Sequence, residues 1–339
     1  MSQDGISEAQ QIAGAAQPRS SACAWFFRFG DYRFIDCITQ GYVALVAVLV
    51  LLFHNHTVPL WPMLLAAHAG CLLGVHWIIR LASTFRRSPA LDLLRHFYPV
   101  LLYTAFYRET GALNQLFFSG FMDPAFIRIE QGLFGMQPSI AFMEALPWLP
   151  VSELFYASYF SYYVMIVGVG VALYFRNRRQ FFHYVSLVSF VFYCCYLTYI
   201  FLPVIGARVF FQECGGAALP DYVRPEGWPV AYPPQVTLGP FYKIMLLIYD
   251  RFEAMGAAFP SSHVAVALCT LTFSWRYLPR LRAPHAVAVT LLSVSTVYCR
   301  YHYAVDVLAG AAAGALLVAA GERLYRKWGP LADAAPGPP

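Results

Sequence analysis

The stretch YVALVAVLVLLF, residues 42–53, carries no charge and no amide across twelve positions. It extends back to about residue 36. That gives nearly the 20 apolar residues a helix needs to cross a hydrocarbon core of about 30 Å. AAAGALLVAAG, residues 311–321, reads the same way. The whole chain agrees with these runs. Of 339 residues, 59% are hydrophobic and 12% charged, against roughly 25% charged in a soluble domain. Such a surface is solvated by lipid, not water.

Apolar runs fall at about 36–53, 60–80, 91–107, 153–175, 181–202, 259–277, 284–300 and 303–325. They lack the period-two alternation of a membrane barrel. Helices satisfy their own backbone groups within the bilayer. The expected fold is therefore all-α: a polytopic membrane helix bundle of about eight spans. Residues 1–35 read as a cytoplasmic tail, 36–328 as the membrane-embedded domain, and 329–339 as a disordered tail. The polar start SQDGISEAQQIAGAAQ lacks the order of a cleavable signal. Assigning loops alternately to two sides puts most of the 23 Lys and Arg on one side. The positive-inside rule makes that side, with both termini, cytoplasmic.

These arginines are scattered over loop ends, which argues against nucleic acid as a partner. Of eight cysteines, Cys37, Cys71, Cys194, Cys195, Cys269 and Cys299 lie in or beside spans and read as small apolar fillers. Cys23 lies in the tail and Cys214 in a loop. No C-x-x-C pair signals zinc or a disulfide framework, and no metal or other cofactor is expected.

Two long outer segments stand apart. Residues 108–152 include DPAFIRIEQGLFGMQPSIAFMEALPWLP and suit short interfacial helices. Residues 203–257 include LPDYVRPEGWPVAYPPQVTLGP and have the length of a functional loop. FYASYFSYY (155–163) reads as an interfacial aromatic belt. GAAAG (310–314) predicts close approach of another helix.

Three polar stretches carry the chemistry. In AFPSSHVAVAL (258–268), Pro260 suits a helix opening and the serines suit its cap. The N–H groups near Ser261, Ser262 and His263 then form an anion site at a helix N-terminus. In YCRYHYAVDVLAG (298–310), His302 and Asp306 are four apart, hence on one helix face. A carboxylate that accepts from Nδ1 fixes the imidazole tautomer and leaves Nε2 to attack. A buried aspartate in a membrane also needs a partner. In FLPVIGARVFF (201–211), Arg208 offers a planar fork for phosphate oxygens, and Arg300 could add a second. All four of Arg208, His263, Arg300 and His302 fall on the non-cytoplasmic side.

The chain at this point resembles the type 2 phosphatidic acid phosphatase superfamily of lipid phosphatases and phosphotransferases, over about 150–325. PSSH matches its second signature and H-x-x-x-D its third. The resemblance implies His302 as nucleophile, Asp306 as its orienter, His263 as general acid, Arg208 among the phosphate ligands, a six-span core and no required metal. Two departures stand out. Thr296 sits where the third signature has Arg, and the Lys and Arg-Pro pair of the first signature are replaced by PVIGAR. This is similar to the inositol phosphorylceramide synthase-like branch, as are DPAFIRIEQGLFGMQP and the Tyr-rich span. The resemblance thus implies a membrane lipid as substrate and water, an alcohol or inositol as acceptor.

A proton-coupled transporter using a His/Asp relay is the rival from another class. Its broken helices would lie near the midplane in both halves, whereas the polar residues here gather at one face. His68 and His76, eight apart, would suit haem ligation, although partnered histidines explain them as well. HNH (54–56) reads as a solvated turn. High alanine and arginine with little lysine point to a bacterial inner membrane.

Overall fold

The computed structural model describes residues 30–212 and 231–333, with side chains described to Trp328. Cys23, Cys214, most of the N-terminal tail and the middle of the 203–257 segment lie outside the described residues. Twelve α-helices and no strand occur among the described residues: α1 Phe34–Phe53, α2 Trp61–Thr84, α3 Pro89–Leu113, α4 Asp123–Phe134, α5 Pro138–Ala145, α6 Leu149–Arg176, α7 Arg178–Phe201, α8 Ala207–Gln212, α9 Pro240–Phe252, α10 Ser262–Tyr277, α11 Arg282–Tyr298 and α12 Ala304–Asp333.

Eight of these match the eight apolar runs. Five are long and apolar enough to cross a membrane: α1, α2, α6, α7 and the Ala304–Trp328 part of α12. α10 and α11 have 16 and 17 residues, about 24–26 Å at 1.5 Å per residue. α3 is long enough, but carries Asp92, Arg95, Arg108 and Glu109. The tail expected from residue 329 is helical as far as Asp333.

Local chemistry sets the helix ends. Asn177 ends α6, and its side chain accepts from the N–H groups of Arg179 and Gln180 to open α7. Those two antiparallel helices thus need one linking residue. α1 opens where the Arg33 N–H donates to Asp36 Oδ2 at 2.8 Å. Asp36 also accepts from Arg95 (2.9 Å) and from the Tyr98 hydroxyl (2.6 Å), tying α1 to α3.

α7 is the central helix, packed against α3, α6, α1, α10 and α12. α10 and α12 meet at glycine. A Cβ on Gly310 would lie 2.5 Å from Ser261 O, and one on Gly314 2.9 Å from Ala265 Cα. The small residues of 310–314 thus serve the close approach their spacing predicts. The expected interfacial segment contains α4 and α5, which pack on α12 and α11. Ser262 N–H at the α10 start donates to the hydroxyl of Tyr199 near the end of α7, and Ser261 N–H donates to Asp306 O in the first turn of α12, so these points lie at one end of the bundle.

Candidate active site

The α10 N-terminus is built by serine. Ser261 is the N-cap, and its hydroxyl accepts from Val264 N–H at 3.4 Å. Pro260 precedes the cap, so it is not the first helical residue. The N–H of Ser261 donates to Asp306 O (3.1 Å) and that of Ser262 to the Tyr199 hydroxyl (3.2 Å). Those two donors, expected from sequence to face an anion, are occupied by protein. The His263 N–H is the first-turn donor without a partner among the described residues.

The α11–α12 junction carries the second histidine. Thr296 O accepts from the N–H groups of both Tyr301 and His302, at 3.0 and 3.1 Å. Arg300 turns the chain with φ of 60°, a left-handed conformation usually left to glycine at a helix end. His302 lies two residues before α12, and its ring reaches the face that carries Asp306. His302 Nδ1 lies 3.4 Å from Asp306 Oδ2. That is ion-pair range, but the nitrogen makes no well-directed hydrogen bond. Asp306 Oδ2 also accepts from Tyr303 N–H at 2.9 Å.

The two histidines meet. His302 Nε2 is 3.3 Å from His263 Nδ1, and the ring centroids are 5.4 Å apart. His263 Nε2 is 2.9 Å from the Tyr159 hydroxyl, which in turn contacts the Tyr249 hydroxyl. One proton arrangement satisfies the whole chain. Tyr249 donates to Tyr159, Tyr159 to His263 Nε2, His263 Nδ1–H to His302 Nε2, and His302 Nδ1–H to Asp306. In it the His302 Nε2 lone pair accepts from His263, and it becomes available to a substrate only when the two rings part.

Tyr159 was not singled out as a site residue, because FYASYFSYY reads first as an interfacial belt, with a substrate-lining role as the alternative. The structure corrects that reading. Tyr156, Tyr159 and Tyr162 are buried, and the Tyr162 ring lies 4.5 Å from His263. Spacings of three residues put them on one helix face, and that periodicity was the available signal.

Arg208 joins the cluster through an aromatic wall. Its guanidinium pairs with Glu253 and lies 5.2 Å from the Tyr249 ring centroid and 5.9 Å from that of Tyr301. Tyr249 and Tyr301 are stacked at 4.2 Å, and Tyr301 is 4.5 Å from Tyr159. The ion pair with Glu253 holds the Arg208 proton more tightly than usual, despite the cost of burial. Arg300 is fully buried and has different neighbours. It donates to Ala231 O at 3.4 Å, lies over the Tyr232 ring at 5.1 Å, and approaches Glu144 at 3.7 Å.

Two further carboxylates hold this architecture. Asp123 accepts from Ile205 N–H (2.9 Å), Gly206 N–H (3.0 Å) and the Tyr303 hydroxyl (2.9 Å). It thereby links the Arg208 loop to the His302 loop. Glu130 accepts from Ala304 N–H (2.5 Å) and Val305 N–H (3.2 Å), capping α12. Burial pushes their pKa values up to about 6 and about 7, against the pull of those hydrogen bonds. Sequence reasoning placed both on an interfacial segment and gave them no role.

The two histidines that would suit haem each have a protein partner. His68 pairs with Glu109 at 3.3 Å and His76 with the Tyr32 hydroxyl at 2.6 Å. Among the described residues, no group of three His, Cys, Asp or Glu side chains is arranged to hold a metal.

A family model described as the PAP2 superfamily matches residues 124–320, more than half of the chain. No curated protein and no solved structure matches it. The chain belongs to the PAP2 superfamily, whose members are phosphatases and phosphotransferases.

Proposed function

We propose that this PAP2 superfamily protein is a membrane lipid phosphoesterase or phospho-headgroup transferase that works through a phosphohistidine on His302. The observation that carries the reading is the contact of the two imidazoles, one backed by Asp306 and the other by Tyr159.

His302 Nε2 attacks phosphorus, and the P–O bond to the leaving alcohol breaks. His263 gives the alcohol its proton. Water or an acceptor hydroxyl then attacks the phosphohistidine, with His263 taking that proton back. The His263 N–H and Arg208 stabilise the charge on the phosphate oxygens. Attack starts from about 3–3.5 Å, so the 3.3 Å ring contact must open to admit the phosphorus. Arg208 is held by Glu253 until an anion competes for it.

A lateral route supports a lipid substrate. α3 and α6 both pack on α7 but barely on each other. Between them lies a cavity of about 460 Å³, with Tyr107, Ile166, Tyr196 and Phe252 among its lining and Ser262 and His263 at its head. Its walls suit a hydrocarbon chain, with the phosphate at the histidines. Exclusion of water from this chamber would favour an alcohol or inositol acceptor, as the inositol phosphorylceramide synthase-like resemblance implies. Open access would favour hydrolysis.

The reading also has the active site on the non-cytoplasmic face of a bacterial inner membrane, with eight spans and both termini cytoplasmic. Residues 36–328 form the catalytic domain in this reading. The test is mass spectrometry of lipids after incubation with phosphatidate, isoprenoid diphosphate, or phosphatidylinositol plus ceramide. Turnover by the wild-type protein, lost in His302→Ala and His263→Ala variants that still fold, is the expected result. More than a few per cent of activity in His302→Ala would remove the nucleophile assignment. Solute uptake into sealed vesicles without lipid turnover would favour the transporter.

A further inference from the structure

The end of the bundle opposite the histidine pair has a second cavity, of about 370 Å³. Five arginines line it: Arg33, Arg86, Arg95, Arg178 and Arg179. Its carboxylates are Asp31 and Asp92. Arginine thus dominates the charged lining. We propose that this cavity is an anion site for a phosphate group, borne by the headgroup of an acidic lipid or by a soluble phosphate. The inference does not depend on the reading of the histidines.

Several independent features favour a bound anion over a merely solvated basic surface. Asp31 pairs with Arg80, and Asp92 lies 3.3 Å from His96. The Asp31 carboxylate is therefore already engaged. Arg178 and Arg179 have no carboxylate within ion-pair distance among the described residues. The Arg178 guanidinium lies 3.3 Å from the Tyr174 ring centroid and that of Arg33 3.8 Å from Phe182. Stacking holds both planar groups in place and leaves the Arg178 N–H edge for an oxyanion.

Arg95 gives the cavity a built, buried member. It is 8% exposed and donates to Ile79 O, Asp31 O and Asp36. Its Nε has no hydrogen-bond partner among the described residues. A buried charged donor left unsatisfied is costly, and a phosphate oxygen would relieve that. The N-termini of α3, at Ser88, and of α7, at Arg178, open onto the same cavity and add their positive dipole ends. Basic pockets between membrane helices bind acidic headgroups in this manner.

The full-length protein in detergent tests this by native mass spectrometry and thermal unfolding at about 0.3 M salt, where loose surface attraction is screened. One arm adds phosphatidylglycerol, with phosphatidylcholine as control. The other adds inorganic phosphate alone. We expect phosphatidylglycerol to be retained at least tenfold over phosphatidylcholine, and an Arg178→Gln/Arg179→Gln double variant to lose that preference. Turnover of detergent-solubilised substrate should stay unchanged in the variant. Stabilisation by inorganic phosphate alone, lost in the same variant, would assign the site to a soluble phosphate. If the double variant does not fold, Arg86→Gln at the exposed rim provides the comparison. Equal response of wild type and variants to both probes would overturn the proposal.

Discussion

Replacing Tyr159 with Phe removes one oxygen from the site and leaves the ring stack with Tyr301 in place. The lost hydroxyl is 2.9 Å from His263 Nε2 and is the one described hydrogen-bonding partner of that nitrogen. An unsatisfied buried acceptor costs about 1–3 kcal/mol. Moving the proton to Nε2 only trades the unpaired acceptor for an unpaired donor on the side Tyr159 vacated. Nδ1 then faces His302 Nε2 without a proton, and two lone pairs oppose each other at 3.3 Å. Both routes reduce the population with His263 ready to protonate the leaving group. At 1.36 kcal/mol per tenfold, the cost corresponds to a fall in kcat of roughly 5- to 150-fold. KM should hardly change, because Arg208 and the lipid chamber are untouched. Steady-state kinetics on a lipid phosphate in mixed micelles reads this directly. Tyr249→Phe, one hydroxyl further out, should give a smaller fall. A Tyr159→Phe enzyme within twofold of wild-type kcat would refute the proton chain from Tyr249 to Asp306.

Other perturbations act through different contacts. Gly310→Ala puts a methyl 2.5 Å from Ser261 O. Overpacking of this kind costs about 1–3 kcal/mol, so a lower unfolding temperature and lower kcat are expected together, while Ala311→Gly at the same helix should have little effect on kcat. Glu253→Gln removes the anion that holds Arg208, so orthovanadate should inhibit more tightly, by up to about tenfold, and unchanged inhibition would show that Arg208 does not face the phosphate. The raised pKa of Glu130, about 7 against an ordinary 4.5, means the fold resists its ionisation. The associated stability is full below about pH 4.5 and is lost as pH rises through 7. Unfolding temperature should therefore drop between pH 5 and 8 in the wild type and stay flatter in Glu130→Gln, as differential scanning fluorimetry would report.

The parts of the site encoded within one turn of sequence were legible. His302 and Asp306 are four apart, with His302 just before the helix that carries Asp306, and Ser261 caps the helix that carries His263. The eight long helices followed from apolar runs, and GAAAG from the size of its side chains. The unread parts depend on partners far apart in the chain. Tyr159 meets His263 across 104 residues, Glu130 meets Ala304 across 174, and Asp123 meets Tyr303 across 180. No local pattern encodes such pairs. A tyrosine-rich helix start looks the same whether it faces lipid headgroups or a buried imidazole. Arg300 stands two residues from His302, and its left-handed backbone is part of a turn that sets it among Tyr232, Glu144 and Ala231, neighbours no local pattern announces.

The central claim is that one imidazole becomes covalently phosphorylated while its neighbour moves the proton. The most direct measurement is alkaline quench during turnover of a lipid phosphate, followed by peptide mass spectrometry under conditions that preserve phosphohistidine. The account predicts a phosphoryl adduct on the peptide containing His302, absent in His302→Asn. An adduct on His263, or none in a quenched enzyme that is turning over, would contradict it.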